Sequence, residues 1–269
     1  MGELVFVGVG LQSDRDLTLA GLEVARSCDR IFAEFYTSRP GVSIEMLEET
    51  IGKPIAVVSR EDVEQDDAIL TAAAQAPVCL LTGGDPMTAT THIDLRLRAV
   101  ERGIPTRVIH GVSIVTAAAG LLGLQIYKFG RTTTLAYPEK NYFALSPYHV
   151  IRENRERGLH TLVLLDIQEE RQRYMTVPEG VELLLEMEQR CSNQVITPET
   201  ILAGVARASS PQPVVQAGYP SQLTETDFGP PLHCLVVPGS LHMMEARALV
   251  ELADGPPELL DDGQERKHL

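Results

Sequence analysis

Val78-Cys79-Leu80-Leu81-Thr82-Gly83-Gly84-Asp85-Pro86 is the stretch from which the fold is read. Its first four residues form a short apolar run without alternation, the mark of a strand buried on both faces, as in a parallel sheet. Two glycines then allow close backbone approach, Asp85 sets one anion at the strand end, and Pro86 fixes the exit. A helix is expected over residues 88–102, closed by Gly103. The same grammar repeats on either side. Residues 4–7 form an apolar run stopped by Gly8 and Gly10, and Thr18 caps a helix with Leu19, Leu22, Val24 and Ala25 on one side. Strands are expected at 31–33, 55–58 and 107–109, and one helix through Val63, Ile69, Leu70 and residues 72–74. Alternating strand and helix signals predict a mainly parallel sheet covered by helices.

Beyond residue 112 the texture changes. Short strand signals at 132–137, 161–165, 201–206, 214–217 and 232–237 outnumber the helices expected at 147–157, 178–190 and 241–252. The α/β chain therefore reads as two domains, 1–112 with a mainly parallel sheet and 113–269 with mixed α/β structure, ending in a solvated tail at 254–269. Hydrophobic residues at 44% and charged residues at 22% suffice for a core. The 37 acidic and 23 basic residues leave a net charge of −14, which argues against a nucleic-acid partner, since that task needs Lys and Arg. Cys28, Cys79, Cys191 and Cys234 are scattered without metal-ligand spacing or a disulfide pattern, so no metal site is expected. The start MGELVFVGVG lacks a basic leader region. The charge-free run 108–127 is too polar and glycine-rich to span a membrane. A soluble, cytoplasmic protein without a membrane partner is expected.

Three loops at expected strand ends could bind a ligand, because open α/β sheets bind there. In Gly8-Val9-Gly10-Leu11 the third glycine of a dinucleotide fingerprint falls on Ser13, and Asp14-Arg15-Asp16 delays the helix. In Gly83-Gly84-Asp85-Pro86 the carboxylate either caps the following helix or meets an ammonium or vicinal hydroxyls. In His110-Gly111-Val112-Ser113-Ile114, Ser113 can cap a helix and leave N–H groups for a carboxylate. Together the loops suit a zwitterion. His92 and His233 each read as structural histidines. No Ser/His/Asp order, HExxH or Walker loop supports hydrolysis or phosphoryl transfer.

FVGVGL near the start, Glu34-Phe35-Tyr36-Thr37-Ser38, GGDPMTATTH at 83–92, GLQIYKFG at 123–130, RGLHTLVLLDI at 157–167, RYMT at 173–176 and PLHCLVVPGSLHMME at 231–245 combine into a recognisable pattern. It resembles the diphthamide-pathway branch, the diphthine synthases, of the S-adenosylmethionine-dependent tetrapyrrole-methylase superfamily. GxG and GDP are shared across that superfamily, whereas ATTH, LQxYKFG and GLHTLxLLDI point to the branch. The resemblance implies two α/β domains with S-adenosyl-L-methionine in the cleft between them, S-adenosyl-L-homocysteine as product, and a homodimer. It carries cofactor contacts onto Leu11, Asp85, Thr88, Ser113, Ile114, Leu165, Ala208 and His233. Two departures are visible: Thr88 replaces a usual aliphatic residue, and Gly111-Val112 replaces the common Asn-Ala.

The implied activity is methylation of the amino nitrogen of the aminocarboxypropyl-modified histidine on elongation factor 2, giving diphthine. No catalytic side chain is assigned and no essential general base is expected, because an α-amino group titrating near roughly 8 keeps a neutral fraction. A corrin or sirohaem-precursor methyltransferase is the alternative within the superfamily, disfavoured by the net charge of −14 against polycarboxylate substrates. A ribosomal-RNA ribose methyltransferase is disfavoured on the same ground. An NAD-type oxidoreductase is the alternative from another class.

Overall fold

Leu4, Val5, Phe6 and Val7 in β1 (Glu3–Gly8) and Val78, Cys79, Leu80 and Leu81 in β4 (Pro77–Thr82) are all fully buried. Such strands must be covered on both faces, and a parallel sheet with crossover helices does this. The computed structural model, which describes residues 2–140 and 142–260, shows that arrangement. Between β1 and β4 run α1 (Leu19–Ser27), β2 (Arg30–Glu34), α2 (Ile44–Ile51), β3 (Ala56–Val57), α3 (Arg60–Glu64) and α4 (Ala68–Gln75). After β4 come α5 (His92–Glu101) and β5 (Thr106–Ile109). The sheet has the order β3-β2-β4-β1-β5 with every pair parallel. Alternation within the strands feeds two cores. Val5, Val7, Cys79 and Leu81 pack with Ala25, Leu47 and Ile51, while Leu4, Phe6, Val78 and Leu80 pack with Ile69, Leu70, Leu95 and Ala99.

Local chemistry explains where this half departs from expectation. Thr18 caps α1 by accepting the Gly21 amide, which leaves Leu19 on the first turn 80% exposed; Gly21 and Ala25 are the buried residues. The single helix expected through residues 63–74 is two. A Ser59–Asp62 capping box starts α3, and Asp66 Oδ1 accepts the amides of Asp67 and Ala68 between the helices. The helix expected from Thr88 starts only at His92, because Asp85 Oδ1 takes the Met87 amide and Ala89 turns left-handed at φ 56°.

The chain divides into two compact units, one through Ile114 and one from Val115. The second contains most of α6 (Ile114–Leu122), then β6 (Thr133–Leu135), α7 (Ser146–Glu156), β7 (Thr161–Leu165), β8 (Ile167–Gln168), β9 (Arg173–Tyr174) and α8 (Val177–Cys191). It continues with β10 (Leu202–Ala206), β11 (Val214–Gly218), α9 (Pro220–Glu225), β12 (His233–Val237) and α10 (Met243–Leu252). Its main sheet has the order β11-β10-β12-β7-β6, parallel only between β6 and β7, and so is mixed. Residues 254–260 do not behave as the expected solvated tail. Gly255, Pro256 and Leu259 are buried, and the Gly255 amide donates to Leu249 O. The rest of that tail, 261–269, lies outside the described residues.

Candidate functional site

Because β1, β4 and β5 are parallel neighbours, Gly8, Thr82 and Ile109 all end at one edge of the first sheet, and the three glycine-bearing loops leave from there. The loops meet backbone to backbone. The Gly84 amide donates to Gly10 O at 2.7 Å, and the Gly10 amide returns a bond to Gly84 O at 3.2 Å. A Cβ on Gly8 would overlap Gly84 O and come within 2.8 Å of Gly111 Cα. Gly84 differs: at φ 68° it is left-handed, and a Cβ there would meet only Leu11 Cδ2 at 3.8 Å and Val112 O at 3.9 Å. That leaves room for close approach by a ligand.

The first loop already holds an anion. Asp16 Oδ2 accepts the amides of Leu11, Gln12 and Ser13 at 3.1, 2.8 and 3.4 Å. Those are the donors a pyrophosphate would need, so the dinucleotide reading loses its support.

Asp85, only 7% exposed, organises the other two loops. Its Oδ1 accepts the Met87 amide at 3.0 Å and the Thr88 hydroxyl at 3.1 Å. Its Oδ2 accepts His110 Nδ1–H at 2.7 Å and the Gly111 amide at 3.3 Å. Burial raises the Asp85 carboxyl, but the Met87 amide, His110 and Thr88 together outweigh it and hold the group below the usual carboxylate range. Asp85 therefore does not cap a helix. Its acceptor sites are filled from within the first unit, so a ligand beside it meets the main chain or competes with His110. Thr88 lies in the same turn, and Ser113 and Ile114 sit half-buried at the start of α6.

Beneath that turn, Glu34 and His92 are fully buried. His92 Nδ1–H donates to Pro86 O at 3.0 Å, and its Nε2 lies 3.1 Å from Glu34 Oε1. The Thr37 hydroxyl and amide also donate to the Glu34 carboxylate, at 2.6 and 3.2 Å. Two sequence stretches, EFYTS and ATTH, thus meet and pin the turn through Pro86.

In the second unit, Leu165 ends β7, His233 begins β12 and Ala208 lies two residues past β10. These strands are neighbours, with Ala206 opposite His233 and Leu164 opposite Cys234, so the three residues share one edge of the second sheet. His233 is 8% exposed; Nδ1 accepts the Val177 amide at 3.2 Å, and Nε2–H faces Gly229 O and Pro230 O, both at 3.1 Å. Burial lowers its pKa, in keeping with a neutral ring. The ring is thus committed inside the unit, leaving the main chain at His233 for a ligand.

One cluster went unread in the sequence. Glu245, fully buried, accepts from Lys128 Nζ, the Gln125 amide at 3.0 Å, the His242 amide at 2.8 Å and His160 Nε2–H at 3.0 Å. His160 Nδ1 accepts the Gly239 amide at 2.9 Å. YKFG, GLHTL and PGSLHMME are therefore the parts of one network, and its only sequence signal was their joint occurrence. Among the described residues, no group of three His, Cys, Asp or Glu side chains is placed to hold a metal ion.

Over residues 3–218 the chain matches the family described as Tetrapyrrole (Corrin/Porphyrin) Methylases. It is 49% identical over 253 residues to a diphthine synthase of Methanocella arvoryzae, covering 93% of this chain and 98% of that one. A diphthine synthase of Methanosphaerula palustris is 51% identical over 248 residues, covering 91% and 96%. A crystal structure of diphthine synthase superposes with a TM-score of 0.88 at 38% identity, covering 96% of this chain and 98% of that one. The extent of these matches, together with the loop architecture, makes the chain a member of the tetrapyrrole methylase family, in its diphthine synthase branch.

Proposed function

We propose that this protein is an S-adenosylmethionine-dependent methyltransferase of diphthamide biosynthesis, methylating the amino nitrogen of the aminocarboxypropyl-modified histidine of elongation factor 2. The observation that carries this reading is the backbone-to-backbone convergence of residues 8–11, 83–88 and 110–114 at the C-terminal edge of a parallel sheet, in a chain about half identical to diphthine synthases. The donor set fits the cofactor. The amides of the first loop are already taken by Asp16, which disfavours a phosphate, while the ionised Asp85 favours a ligand with a cationic centre. Leu11, Asp85, Thr88, Ser113 and Ile114, at the converging loops, would hold it, and Leu165, Ala208 and His233 are the further contacts that the family resemblance implies.

When bound, the sulfonium of S-adenosyl-L-methionine supplies a methyl group already activated for displacement. The task left to the protein is alignment, which alone can lower a barrier by several kcal/mol, on the order of 7–11 in well-oriented systems. Gly84 gives the space for close approach, and the turn pinned by Glu34 and His92 fixes where the Asp85 and Thr88 main chain lies. The assembly we propose is a homodimer, which light scattering of the purified protein would report.

The test is methyl transfer from radiolabelled cofactor to elongation factor 2 already carrying the aminocarboxypropyl histidine. Label is expected on that one residue. Label on a tetrapyrrole instead, or on neither, would overturn the reading.

A further inference from the structure

His110 is the exposed partner of a buried acid. Its side chain is 74% exposed, whereas that of Asp85 is 7% exposed, and Nδ1–H donates to Asp85 Oδ2 at 2.7 Å. Because a carboxylate oxygen only accepts, the Nδ1 of His110 carries the proton of this bond, and in the neutral ring Nε2 is then the acceptor nitrogen. Among the described residues, Asp85 is the only charged side chain paired with the ring. The pairing is not needed to satisfy Asp85, which also accepts the Met87 and Gly111 amides and the Thr88 hydroxyl. Nor is an ion pair to so exposed a ring a strong stabiliser. A ring held by a buried carboxylate, with its other nitrogen an acceptor, is the arrangement of a base and its orienting group. It also stands where the three loops converge, since the next residue, Gly111, is packed against Gly8 and Gly84.

We propose that His110 is the general base of the methyl transfer, with Asp85 as its positioning residue. This rests on the function proposed above and adds to it the residue that moves the proton. The incoming amine arrives as an ammonium. His110 Nε2 takes one proton from it, leaving R–NH2 and an imidazolium whose Nδ1–H still faces the Asp85 carboxylate. The nitrogen lone pair then forms the new N–C bond while the electrons of the S–C bond remain on sulfur. The products are a methylated ammonium and the neutral thioether S-adenosyl-L-homocysteine. The exposed imidazolium returns its proton to water, and one such cycle accompanies each methyl added. An amino group beside a free carboxylate is overwhelmingly protonated at pH 7, so a base raises the rate, without being indispensable as long as some neutral amine is present. That refines the sequence-based expectation of catalysis without an essential base.

Three measurements on the full chain test this. In nitrogen-15 NMR of the cofactor-free, histidine-labelled protein, His110 is expected as the Nδ1–H tautomer, and Asp85→Asn is expected to disturb it. In His110→Ala and His110→Gln, kcat at pH 7 is expected to fall by roughly a hundredfold, far more than any change in affinity for S-adenosyl-L-homocysteine measured by calorimetry. The deficit should shrink as pH rises, because a growing fraction of the amine is then neutral unaided. Added imidazole should restore part of the rate of His110→Ala. Wild-type kcat in both variants, or a rate loss matched by lost affinity and indifferent to imidazole, would overturn the assignment of His110 alone. A wild-type chain that neither binds the homocysteine product nor methylates the modified factor would overturn the proposed function, and this assignment with it.

Discussion

Glu245 carries its charge where water cannot reach it, with a side chain only 1% exposed. Burial raises its carboxyl, but Lys128, the His242 and Gln125 amides and His160 outweigh that and bring it down to about 2. A group depressed on folding adds stability above its unfolded value and loses it as pH falls toward the folded one. The drop from 4.5 to about 2 corresponds to roughly 3 kcal/mol at neutral pH. His160 works in the same direction, because burial lowers it below 6.5 and its Nδ1 must stay unprotonated to accept the Gly239 amide. In urea unfolding, wild type should therefore exceed Glu245→Gln at pH 7, with the gap closing as pH falls below about 4.5. A gap independent of pH would show that the carboxylate charge contributes nothing. The network also shows what a single residue hides in a sequence. Lys128, His160 and Glu245 are far apart in the chain, and none has a neighbour in sequence that signals its partner.

Strands were the legible elements, and the loops joining them less so. Four buried apolar residues in succession imply burial on both faces whatever their neighbours, which is why β1 and β4 were readable without contacts. The region 85–91 was not, because its shape is set by the Asp85 side chain bonding its own backbone and by the left-handed Ala89. Propensity alone continued that helix back to Thr88. The same limit applied to His110, which stood in plain view in the third loop; its role depends on an acid 25 residues away. The convergence of the loops belongs to the elements rather than to any side chain, and Gly8 tests it. Gly8→Ala forces a methyl group against Gly84 O and Gly111 Cα, backbone atoms that cannot rotate away. The expected cost is about 1–3 kcal/mol of stability, seen as a lower Tm, together with weaker binding of S-adenosyl-L-homocysteine. Unchanged values of both would mean that the loops have slack.

The whole molecule is strongly acidic, with a net charge of −14, and that charge acts on encounter more than on affinity. If a basic region of elongation factor 2 is drawn to it, the association rate measured by stopped flow should fall as salt is raised, since screening shortens to about 3 Å at 1 M. A rate indifferent to salt would remove steering from the account. Against so negative a field, Asp16 has a role beyond closing a turn. Three amides of the first loop converge on its carboxylate, in the place where related sheet architectures receive a phosphate. The loop carries its own tethered counter-anion, and a tethered group competes at a far higher effective concentration than a free one. Nucleotides, abundant in any cell, therefore meet a phosphate seat that is already occupied, and selectivity against them is built into the empty enzyme before its own ligand arrives.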